Sequence, residues 1–159
     1  MNKASLAAVA ALIALGALIA GCGGGDDTTG DETVTLTKAE FIKQGDAICR
    51  EGNEEIEKGF EGYAEENDLP QNKEPSTEQG IEITETVILP NVQQQAEEIR
   101  ELGAPEGDED QVDELLTSLE DAVAEGEDDP EALFSGDTDP FADVNQLAND
   151  YGFQVCGEE

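Results

Sequence analysis

Cysteines and carboxylates are the side chains of this chain that could carry chemistry, and no histidine accompanies them. Cys49 and Cys156 could form a disulfide or hold a metal ion, and a carboxylate pair could perform acid–base catalysis as in glycosidases. Without histidine, serine–histidine and cysteine–histidine nucleophiles are excluded, as are histidine-based zinc sites and most haem ligation. No phosphate-binding glycine motif lies between a strand and a helix pattern. We therefore expect that the protein is not an enzyme and that it binds no cofactor.

The N-terminus has the pattern of a secretory signal peptide. Lys3 supplies a positive start, residues 4–20 carry no charged side chain, and the small residues Ala20 and Gly21 follow the apolar run. These three features define such a signal. The alternative is a transmembrane anchor, but the run is slightly short, rich in alanine and not followed by the positive residues that orient an anchor.

The four residues Ile19-Ala20-Gly21-Cys22 resemble the lipobox of bacterial lipoproteins. The resemblance implies that residues 1–21 are removed and that Cys22 becomes a lipidated first residue at the extracytoplasmic face of the cell membrane. Glycine and acidic residues dominate the stretch that follows, which contains too little apolar surface to order itself. We expect residues 22–35 to be a lipidated tether and residues 36–159 to be the folded domain.

With lipid on Cys22, an even pair of cysteines remains in an exported chain. Disulfides persist in oxidising compartments, so we predict a bond between Cys49 and Cys156. It would close a loop of 107 residues, for which the chain-entropy estimate is about 4.7 kcal/mol. The alternative, two thiols that bind a metal ion, lacks the histidine or further cysteines that a closed zinc site needs.

Apolar side chains recur at helical spacing along most of the domain. We predict helices from a cap at Thr37 to about Glu66, from Ser76 to about Leu102, from Asp108 to about Gly126, and from Asp139 to about Tyr151. A turn or two of helix is expected after Asp129, and Pro90 is expected to kink the second helix. Because no alternating strand pattern competes, the prediction is an all-α fold, an antiparallel up-and-down bundle of about four helices.

The first predicted helix contains Gly45, Gly52 and Gly59 at heptad spacing. They are either weak points, since glycine costs about 1 kcal/mol against alanine, or a face that another element approaches closely. Replacing Gly52 with alanine would raise stability in the first case and lower it in the second. Ion pairs at helical spacing are expected at Asp46–Arg50 and Glu54–Lys58.

Acidic residues outnumber basic ones by 40 to 7, and none of the basic residues lies between Glu101 and Glu159. Such a charge excludes ordinary nucleic-acid binding and disfavours a domain lying flat on an anionic membrane. The acidic excess is either an adaptation to solubility or salt, or it serves to bind divalent cations weakly. Asp108, Glu109 and Asp110 fit the first turn of a helix better than an EF-hand loop, whose required glycine and glutamate are absent.

The domain resembles a set of small lipoproteins of actinobacteria. The matching stretches are Leu36-Thr37-Lys38-Ala39-Glu40-Phe41, Asp46-Ala47-Ile48-Cys49, Tyr151-Gly152 and Cys156-Gly157. The resemblance implies a lipid anchor on Cys22 and a paired Cys49 and Cys156, and it implies no chemistry.

The sequence thus favours a non-enzymatic, membrane-tethered helical domain that binds an envelope protein partner or serves the envelope structurally. The alternatives are a low-affinity divalent-cation binder or buffer, and an enzyme or a helper of a transport system.

Overall fold

The computed structural model describes residues 35–70, 73–136 and 138–157. Helices and no strands form within these ranges, so the all-α prediction is confirmed. The predicted signal peptide, Cys22 and the predicted tether up to residue 34 lie outside the described residues. The helical segments are α1 Lys38–Glu66, α2 Thr77–Ile83, a π-helical turn Thr84–Ile88, α3 Leu89–Glu101, α4 Glu109–Asp128, α5 Pro130–Ser135 and α6 Ala142–Tyr151.

Two capping boxes start the first two helices where the sequence predicts them. The N–H of Glu40 donates to the Thr37 hydroxyl (3.3 Å), and the N–H of Thr37 donates to the Glu40 carboxylate (3.0 Å). These hydrogen bonds from Thr37 hold the pKa of Glu40 below its usual value. Ser76 and Gln79 repeat the arrangement at the start of α2. Both starts are therefore set by local side-chain chemistry.

The distortion predicted at Pro90 takes the form of a π turn. The N–H of Leu89 donates to the carbonyl of Thr84, five residues earlier, and Pro90 follows as an early residue of α3. Proline has no N–H and its ring clashes with a carbonyl one turn back in a regular helix. A wider turn before Pro90 relieves that clash, so α2, the π turn and α3 form one continuous helical run.

Two predicted boundaries are wrong by about one half-turn. α4 continues through Gly126 to Asp128, because Gly126 is buried and helical instead of ending the helix. α6 begins at Ala142 instead of directly after Asp139, whose carboxylate accepts the N–H of Phe141 (3.2 Å) in a short turn ahead of the helix. α5 starts as predicted, with the Asp129 carboxylate accepting an N–H from the first turn.

The core lies between α1, α3, α4 and α6. In the described part of the chain α1 packs on α3, α3 on α4 and α4 on α6, while α2 packs on α5. Phe41 of α1 is fully buried and contacts the rings of Tyr151 and Phe153, with centroids 5.9 Å away in each case. The antiparallel up-and-down order of the helices stays a prediction. No helix within the described ranges is long and apolar enough to cross a membrane.

The three heptad-spaced glycines of α1 lie on a closely packed face. A Cβ atom on Gly45 would overlap the ring of Phe153, one on Gly52 the side-chain amide of Gln95, and one on Gly59 a methyl group of Val87. The structure therefore supports the close-approach interpretation of these glycines. Two of the three neighbours are helical, and the third, Phe153, belongs to the segment after α6.

Replacing Gly45 with alanine should lower the free energy of unfolding by about 1–3 kcal/mol, because the buried ring of Phe153 must move to admit the methyl group. Gly62→Ala is the matched control in the same helix, since nothing lies within 4 Å of its added Cβ. That control should gain about 0.5–1 kcal/mol from helix propensity. Urea unfolding of both variants measures the difference, and equal gains in the two would contradict close packing at Gly45.

Candidate functional site

A disulfide links α1 to the C-terminal segment, residues 152–157, which follows α6. Cys49 and Cys156 are bonded, with their Cα atoms 5.3 Å apart, as the sequence predicts. Cys49 belongs to the buried core and Cys156 packs against it, so the bond lies between α1 and the C-terminal segment. Both cysteines within residues 36–159 are used in this bond.

Hydrogen bonds to the Asp46 carboxylate also attach the C-terminal segment to α1. The carboxylate accepts backbone N–H groups from Gln154 (3.0 Å), Val155 (2.8 Å) and Cys156 (3.4 Å), and the residue is only 8% exposed. A buried charge is tolerated when hydrogen bonds replace its water, and hydrogen bonds to a charged acceptor are the stronger kind. Asp46 precedes Cys49 by three residues, so the hydrogen-bonded carboxylate and the disulfide lie on one face of α1.

This role explains why one of the two predicted ion pairs is wrong. Asp46 forms no ion pair with Arg50, both of which the structure describes, because its carboxylate faces the C-terminal segment. The other predicted pair is formed, with the Lys58 ammonium 3.7 Å from the Glu54 carboxylate.

A groove of about 390 Å³ lies beside the disulfide. α1, α3, α4, α6 and the C-terminal segment each contribute to its walls. Its buried apolar lining comes from Ile99, Leu115, Val144, Ala148 and Phe153, and the disulfide is part of the wall. Small-molecule sites are typically concave, mostly apolar and 300–1,000 Å³ in volume. The groove lies at the small end of that range.

Four polar side chains line the same groove: Asn53, Gln95, Asp139 and Asn145. The Gln95 amide donates to the side chain of Asn91 (2.7 Å), which fixes its orientation. The side-chain amides of Asn53 and Asn145 hydrogen-bond to no residue that the structure describes. Asp139 is the one charged side chain among the described residues that line the groove. The arrangement suits reversible binding of an apolar body with one polar end.

A second polar cluster joins the start of α1 to the start of α4 and the end of α6. The Tyr151 hydroxyl donates to the Asp108 carboxylate (2.9 Å), and the Lys38 ammonium lies 3.4 Å from the same oxygen and 3.8 Å from the centre of the tyrosine ring. Burial, and then the Asp108 carboxylate, raise the pKa of Tyr151 above its usual value. α4 begins after Asp108 as predicted, but the Asp108 side chain makes no capping hydrogen bond, because it is engaged by Tyr151 and Lys38.

The acidic side chains do not gather into a metal site in the part of the chain that the structure describes: it contains no group of three or more aspartate, glutamate or cysteine side chains that could hold an ion. Asp108 and Glu109 instead take part in local contacts, the latter accepting the N–H of Gly107 (2.8 Å). The structure thus brings Cys49 and Cys156 together, while Cys22 lies outside the described residues.

Sequence reasoning missed the other residues of the site. Asp46 had a usable signal, since it lies one turn before a cysteine and on the same helix face. The sequence contains no such signal for the polar residues of the groove, because their proximity depends on how the helices pack. These residues are Asn53, Gln95, Asp139 and Asn145.

Comparison with known proteins gives no relative for this chain. No protein-family model matches the sequence, no curated protein matches it, and no solved structure matches the fold.

The two tyrosines of the chain should titrate well above their usual pKa of about 10. The hydrogen bond from the Tyr63 hydroxyl to the Glu82 carboxylate (2.6 Å) raises the pKa of Tyr63 to about 12, and that of Tyr151 is raised by burial and Asp108. Both shifts favour the protonated phenol in the folded state. Their contribution to stability is complete below pH 10 and is lost as the pH rises through the folded pKa values.

Absorbance titration measures this cleanly because the chain has no tryptophan. Glu82→Gln should move the midpoint of Tyr63 down towards 10 and leave that of Tyr151 unchanged. Two midpoints near 10 in the unmodified protein would contradict the hydrogen bonds described here.

Proposed function

We propose that this protein is a lipid-anchored binding protein of the bacterial cell envelope. In this proposal a lipid on Cys22 holds it at the extracytoplasmic face of the cell membrane. Its acidic helical domain binds a ligand in the groove beside the disulfide and catalyses no reaction.

The observation that carries the proposal is the position of the Cys49–Cys156 bond in the wall of the groove. Disulfides persist in oxidising compartments, which supports export of the chain. The same bond, with the Asp46 hydrogen bonds, fixes the segment that forms one wall. A groove with a fixed wall suits binding, because little ordering accompanies ligand entry.

The charge distribution supports a domain held away from the membrane. The chain has 40 acidic residues against 7 basic ones, and this excess of negative charge repels an anionic bilayer surface. The stretch between Cys22 and the domain is rich in glycine, and a flexible chain of that length would have a root-mean-square reach of about 20 Å. The proposal therefore leaves the groove accessible from the aqueous side.

Fatty-acid labelling in a bacterial host tests the anchor. The full chain should incorporate the label and enter the detergent phase on phase partitioning, and Cys22→Ser should abolish the labelling. Cys156→Ser is the matched control, because it removes a thiol that is not the acylation site, and it should remain labelled. Label that persists in the Cys22→Ser variant, or a purified product that retains residues 1–21, would overturn the anchor.

An uncharged probe tests the groove. The exported chain carrying Cys22→Ser should bind n-octanol, with NMR shift changes centred on Leu115, Val144 and Ala148 in the groove wall. Val92→Phe should weaken this binding at least tenfold by filling the groove. Ala124→Phe adds the same side chain at an exposed position of α4 that does not line the groove, and it should leave the binding unchanged. Shift changes that ignore the groove, or equal effects of the two variants, would count against binding there.

A further inference from the structure

We propose that the groove selects a small amphiphile that carries one primary ammonium group, in preference to a neutral or anionic molecule of the same shape. The inference rests on the proposed binding function and adds the chemical class of the ligand. It is carried by the lining of one groove, in which the carboxylate of Asp139 and the side-chain amides of Asn53 and Asn145 accompany an apolar wall that contains the disulfide.

The apolar wall limits the body of the ligand. Partly exposed side chains of Val92, Leu119 and Phe141 lead to the buried lining, and the volume of about 390 Å³ admits a short alkyl chain or a single ring system.

Asp139 is exposed and lines the groove, so its carboxylate is accessible to the polar end of such a molecule. One of its oxygens accepts the N–H of Phe141 (3.2 Å), and Phe141 itself lines the groove. The other oxygen accepts no hydrogen bond from the described residues. A primary ammonium group has three donors, and the carboxylate and the amide oxygens of Asn53 and Asn145 are acceptors.

An anionic ligand finds no partner there. No lysine or arginine is among the described residues that line the groove, and the stretch from Glu101 to Glu159, which supplies the α4 and α6 walls, has no basic residue at all. A carboxylate head group would meet the like charge of Asp139 and gain no basic partner among the described lining residues. The groove therefore discriminates by charge as well as by shape.

A local role of Asp139 in starting α6 is the competing explanation, because its hydrogen bond to Phe141 stabilises that turn. The two explanations differ for Asp139→Asn. Asparagine keeps an acceptor oxygen for the N–H of Phe141 but removes the charge, so the turn is preserved while charge selection is lost.

The experiment compares n-octylammonium, n-octanol and octanoate as probes of the exported chain carrying Cys22→Ser, by NMR titration. We expect n-octylammonium to bind about tenfold more tightly than n-octanol and octanoate to bind most weakly. Asp139→Asn should bring n-octylammonium to the affinity of n-octanol. Asp143→Asn is the matched control, since it removes the same charge from an exposed position in α6 that does not line the groove.

Salt provides a second readout. Raising the salt concentration from 0.01 to 1 M shortens the Debye length from about 30 to about 3 Å, so the preference for the cation should shrink while n-octanol binding persists. Equal affinity for n-octylammonium and n-octanol would overturn the charge selection and leave the binding function standing. Loss of the preference in Asp143→Asn as large as in Asp139→Asn would assign it to the overall field and overturn the role of Asp139. Failure of all three probes would overturn the binding function as well.

Discussion

The attachment of the C-terminal segment to α1 is the constraint on which the rest of the structure depends. Asp46 and Cys49 lie one turn apart, and between them they hold three backbone N–H groups and one sulfur of residues 154–156. This attachment brings the two ends of the domain together and places the ring of Phe153 over Gly45. The aromatic core forms as a consequence, because Phe153 then meets Phe41.

The groove is a further consequence of the same attachment. α1, α3, α4 and α6 pack in sequence, and the C-terminal segment closes the remaining side, so its position decides whether the groove has a wall. Although the chain is heavily acidic, Asp139 is the one charged side chain among the described residues that line the groove. Two basic residues from the first hundred residues form ion pairs with acidic residues of the base-free second part of the chain. Lys38 pairs with Asp108, and Arg100 pairs with Glu120.

Local chemistry made the helices predictable. Thr37, Ser76 and Asp129 cap the helices they were expected to cap, and Gly103 has the positive φ of +72° that ends a helix. Counting the cysteines of a chain that was expected to be exported was enough to predict the disulfide. The sequence could not reveal the partners of Asp46, which lie more than 100 residues away, or the use of Asp108 by Tyr151. Those contacts, like the groove, depend on tertiary packing.

Hydrogen exchange at the backbone amides of residues 154–156 tests the attachment most directly. Because these amides donate to a buried carboxylate and flank a disulfide, we predict that they exchange about as slowly as the core amides of α1, through global unfolding. Exchange as fast as in an unprotected tail, with the helices still protected, would contradict the account, since the groove would then have no fixed wall.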